Sequence, residues 1–97
     1  MSRSLTFDAA RNVLAYEGDH NLGVDGGHFV NCLIRTIVAA DEVNLEKIRR
    51  EFPELVRAVQ VRKERGGVEW LRSFVKAQLD RRDAGLDFES LIDEVAS

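Results

Sequence analysis

Residues 24–52, VDGGHFVNCLIRTIVAADEVNLEKIRREF, decide the architecture, and Pro53 closes the stretch. A helix is expected from about 26 to 40. On its wheel Phe29, Val30, Cys32, Leu33, Ile34, Ile37, Val38, Ala39 and Ala40 leave one polar stripe, made of His28, Asn31 and Arg35. A helix apolar over nearly its whole circumference belongs inside a bundle. The stretch therefore predicts a central buried helix clad by the other segments. Asp25 suits the N-cap of that helix, and Val24 with Phe29 suits a hydrophobic staple. Asp41 then caps a short third helix whose seam is Leu45, Ile48 and Phe52. Pro53 fits the first position of a fourth helix, where its missing N–H costs nothing, and Glu54 favours the first turn.

Outward from this strut, every periodic segment has a helical repeat. The first helix is expected from Thr6 to Glu17, with Phe7, Ala10 and Leu14 on one face and Gly18 as its stop. The fourth buries Leu55, Val56 and Val59 and runs to about Arg65, where Gly66-Gly67 breaks it. The fifth spans Val68 to about Arg82, with an apolar arc of Trp70, Leu71, Phe74, Val75 and Leu79. Gly85 ends it, and Asp87 caps a sixth short helix with Phe88, Leu91, Ile92 and Val95 inward; Leu86 and Leu91 form its staple. The expectation is an all-α, compact single domain over 1–97, with about six short helices around the helix at about 26–40.

The residues Gly27-x-Phe29-x-x-x-Leu33-Ile34-x-x-Ile37-x-x-Ala40-Asp41-x-x-Asn44-x-x-x-Ile48-x-x-x-Phe52-Pro53-Glu54-x-Val56 resemble a pattern in small helical proteins of actinobacteria and their phages. The resemblance covers about residues 24–60 and consists of capping and core positions. It implies a helical architecture and an accessory role directed at host or phage. It carries over no catalytic residue, and the C-terminal third departs from the pattern.

Composition narrows the classes further. The chain has 97 residues, 44% apolar, enough for one core. Cys32 is the only cysteine, which excludes an internal disulfide and a cysteine-built zinc site. The first residues, Met-Ser-Arg-Ser-Leu-Thr-Phe-Asp, contain no apolar run of signal-peptide length, and Ile37 to Ala40 is far too short for a membrane span. A cytoplasmic protein without membrane contact is expected. Net charge is −3, unevenly spread. Residues 57–82 carry Arg57, Arg62, Lys63, Arg65, Arg72, Lys76, Arg81 and Arg82 against Glu64, Glu69 and Asp80, net +5. Residues 83–97 carry Asp83, Asp87, Glu89, Asp93 and Glu94 and no base, net −5. The acidic segment can neutralise the basic one, within one chain or between two copies.

No cofactor or catalytic constellation is expected. Asp19, His20, Asp25 and His28 cluster around one loop, but their spacing matches no standard ligand set, so no metal is expected. His28 and Cys32 lie four apart on a helix; a nucleophile would need a third group to orient its base, and Cys32 reads as a small core hydrophobe. Gly26-Gly27 exposes N–H groups at a helix start, without the spacing of a phosphate loop. The His28, Asn31 and Arg35 stripe reads as a solvent window, an internal hydrogen-bonded seam or the floor of a polar groove.

Trp70 is either core or the anchor of an interface, because the arc around it exceeds what one neighbouring helix covers. Phe74 is expected to face inward, with Arg62, Lys63, Arg72 and Lys76 around the Trp70 surface. Lys76 is expected to pair with Asp80 at i, i+4. The leading functional expectation is a non-enzymatic protein–protein interaction module that binds another protein or itself as a homodimer. The alternative is nucleic-acid binding through the basic 57–82 region, using Arg57, Arg62, Lys63, Arg65, Arg72 and Lys76. Mixed signs along the fifth helix weigh against it.

Overall fold

The computed structural model describes residues 5–83, and these form five α-helices with no strand. They are α1 (Phe7–Tyr16), α2 (Gly27–Ala39), α3 (Glu42–Glu51), α4 (Pro53–Lys63) and α5 (Gly67–Asp83). The expected sixth helix, from Asp87 through Phe88, Leu91, Ile92 and Val95, lies outside the described residues.

The punctuation follows side-chain chemistry. Thr6 caps α1, its Oγ1 accepting from the Ala9 N–H at 3.2 Å. Gly18 takes the positive φ that turns the chain after α1. Asp41 caps α3 by accepting from the Asn44 N–H at 2.8 Å, and Pro53 opens α4. Between α4 and α5 only three residues intervene. There the Gly67 N–H donates to Glu64 O at 2.8 Å and the Trp70 N–H to Gly66 O at 3.0 Å.

The centre of the molecule is α4 rather than α2. Leu55, Val56, Ala58, Val59 and Val61 are all buried, and α4 packs against every other helix. In α2 only Ile34 and Ile37 are buried, Val30, Leu33 and Val38 are half-buried, and Phe29 is 65% exposed. The physical reason is side-chain size. Short Ala and Val side chains let several helices approach α4 closely, whereas bulkier α2 meets chiefly α1 and α4. Cys32 is likewise half-buried and outside the core cluster, not a core hydrophobe.

The core joins Ala10, Val13 and Leu14 of α1, Ile34 and Ile37 of α2, Leu45 of α3, the α4 set, and Leu71 and Val75 of α5. Phe52 departs from the expected α3 seam. As the residue before Pro53 it is turned out of helical geometry, with φ −132° and ψ 58°, and its ring meets Phe29 instead of the core. Val24 and Phe29 therefore do not behave as a buried staple; both are exposed.

Candidate interaction surfaces

Trp70 and Phe74 lie one turn apart on α5 and so share a face. Their rings stack with centroids 5.6 Å apart and planes inclined by 10°. Leu71 and Val75 complete the core side of α5, which leaves Trp70 52% exposed and Phe74 half-buried between surface and core. Of the two readings open for Trp70, burial in the core does not hold.

The surrounding cations are mostly tied into the fold. Asp19, in the loop after α1, accepts from the Asn21 and Leu22 N–H groups at 3.0 Å each, and its Oδ2 accepts from Arg72 Nε at 2.9 Å. The Leu22 bond first, and then the Arg72 bond, hold the Asp19 carboxyl below the ordinary aspartate range. Arg72 also donates to Glu69 Oε2 at 2.6 Å, and its bonds to Asp19 and Glu69 raise its own affinity for the proton. Arg62 pairs with Glu17, and Lys63 Nζ donates to Val38 O at 3.2 Å. Lys76 is exposed, and among the described ion pairs none joins it to Asp80, contrary to expectation.

The polar stripe of α2 divides. Asp25 Oδ1 accepts from the Gly27 N–H at 2.7 Å and from Asn31 Nδ2 at 3.1 Å, which lowers its pKa, the backbone bond most. Asp25 thus serves the first turn of α2 without being its N-cap, a position that Gly26, one residue later, occupies instead. His28 Nε2 stands 3.6 Å from Cys32 Sγ on the outer surface. Arg35 borders a separate hollow of about 630 Å³ with Thr36, Ala39, Ala40, Asn44, Lys47 and Ile48. Within the stripe Asn31 is thus tied to Asp25, while Arg35 borders that hollow. Asp19 and Asp25 being occupied by N–H groups, the loop presents no ligand cluster, and among the described residues no group of three His, Cys, Asp or Glu side chains could hold a metal ion.

Sequence reasoning missed a second apolar surface. Phe29 and Phe52, exposed, stand with ring centroids 6.1 Å apart at 56° over a groove of about 330 Å³. The available signal was Pro53, which expels the preceding residue from a helical path. No helix among the described residues is long and apolar enough to cross a membrane. Compared with known proteins, the chain matches no family model, no curated protein and no solved structure.

Proposed function

We infer that this chain is a non-enzymatic helical interaction module of the cytoplasm whose contact surface is centred on Trp70 and Phe74. One observation supports the reading. A large stacked aromatic pair stands half in solvent on a helix whose core side is already completed by Leu71 and Val75. Flat aromatic surface of this kind contributes most of the affinity in many protein interfaces. The partner is another protein or a second copy. The resemblance over residues 24–60 adds a phage- or prophage-encoded accessory role to the proposal.

The nucleic-acid alternative has less support. Arg62 and Arg72 are held by Glu17 and Asp19, so two of its six cations are already matched.

Trp70 is the only tryptophan, so its fluorescence reports on its own surface. Emission should move to shorter wavelength as the partner, or the chain's own concentration, is raised. Light scattering and capture from nuclease-treated lysate should show the matching complex. Trp70→Ala should keep its helical circular dichroism and lose that complex. If the folded variant associates as the parent does, the Trp70 surface is not the interface.

A further inference from the structure

Phe29 and Phe52 take no part in the core cluster, and the Trp70 surface does not use them. Their rings meet at 56°, with centroids 6.1 Å apart, so neither lies flat over the other, and Phe29 stays 65% exposed. Together with Val30, Leu33 and Leu55 they supply the carbon surface of the groove of about 330 Å³. That volume is at the small end of ligand pockets and suits one bulky side chain with the stem of its neighbour.

The charge on this groove is of one sign. Asp8 and Glu54, both exposed, line it, and no Lys, Arg or His does. Each carboxylate stands in the first turn of its helix, α1 or α4, where the helix dipole favours the ionised form. Among the described ion pairs none takes up either of them. Asn12, whose Nδ2 donates to Val24 O at 2.9 Å, adds a carbonyl acceptor to the lining. Aromatic and aliphatic carbon edged by carboxylates selects a guest that is apolar and cationic at once. Ring faces attract an ammonium or guanidinium, and the carboxylates hold it in place. An acidic guest is repelled by the same edge.

We propose that this groove receives a short basic segment of a partner protein. A bulky apolar side chain of the segment seats against Phe29 and Phe52, and a neighbouring Lys or Arg meets Asp8 and Glu54. No residue of α5 lines the groove, so this contact stands independently of the Trp70 surface.

Random peptides displayed for selection on the full chain test this, followed by anisotropy titration of the selected peptide, synthesised with a fluorescent label. The selected sequences should place Leu, Phe or Trp beside Lys or Arg. Phe29→Ala should weaken the labelled peptide about tenfold, as for a side chain at the centre of a contact. Asp8→Asn combined with Glu54→Gln should weaken it about fivefold and flatten its dependence on salt. Trp70→Ala should leave it unchanged. Phe29, Asp8 and Glu54 are all exposed, so each variant should keep the parent's circular dichroism. Failure of the parent to select any peptide would overturn the proposal, as would selection of acidic or uncharged sequences. Binding indifferent to either groove variant, or lost in Trp70→Ala, would also overturn it. Self-association of the parent that disappears in Phe29→Ala would overturn it too, assigning the groove to a second copy.

Discussion

Gly66 and Gly67 are neighbours, yet each is glycine for a different reason. Gly66 has φ +72°, with nothing near the place of a Cβ, so alanine there meets only backbone strain of about 1 kcal/mol. Gly67 is buried, and a Cβ would fall 1.7 Å from the Val61 carbonyl oxygen. Gly67→Ala must push α5 off the end of α4 and should cost about 3 kcal/mol. Urea midpoints should rank the two variants in that order at unchanged m. Asp19 gives a prediction in pH. Its folded pKa is depressed, so its contribution is present above the unfolded value of about 3.9 and is lost as pH falls through the lower folded value. Asp19→Ala should therefore cost about 1–2 kcal/mol near neutrality. Its stability should also fall less steeply than the parent's below about pH 4. A parallel pair of acid-unfolding curves would contradict the assignment.

Among elements, the largest difference in expected sensitivity lies between α4 and the surface of α3. Val59 is fully buried, and Val59→Ala should leave a cavity costing about 2 kcal/mol. Val43 on α3 is among the exposed large apolar residues, and Val43→Ala should change stability by less than about 0.5 kcal/mol. Thermal melts of the two variants check the contrast. Trp70→Ala should fall between them, at about 1 kcal/mol, because its stacking on Phe74 is lost while the core stays filled. The helix ends were legible in the sequence through Asp41, Pro53, Gly18 and the double glycine, each a local effect of side chain on backbone. The identity of the central helix was not. A wide apolar arc tells how much surface a helix can bury, not how many neighbours reach it. The short side chains of Ala58, Val59 and Val61 let neighbours approach closely, but they give α4 a modest apolar signature. Phe29 was counted toward the core of α2 although it faces Phe52. Trp70 was legible as a candidate, but its stacking on Phe74 was not, because Phe74 was expected to face inward.

Across the whole molecule, charge acts between segments far apart in sequence. Arg62 and Glu17 are 45 residues apart, and Arg72 and Asp19 are 53 apart. Neither pairing was legible, because no local rule selects partners over such separations. Both fasten the loop after α1 to the α4–α5 corner, and both reduce the positive field of the 57–82 region. Mixed duplex and single-stranded DNA should therefore show no retardation at about 50 mM salt. A complex that weakens steeply between about 50 and 200 mM would instead restore the nucleic-acid reading. The position of α4 has a consequence for biosynthesis. The chain emerges from the ribosome with α1, α2 and α3 first, and each of them is waiting for a surface that residues 53–63 supply. Until those residues clear the exit tunnel, Leu14, Ile34 and Leu45 have no common partner to bury against. Folding should then be a late, single event in translation. A ribosome stalled so that the chain has emerged only through α3 should present a protease-sensitive nascent chain, and one stalled past α5 a resistant one.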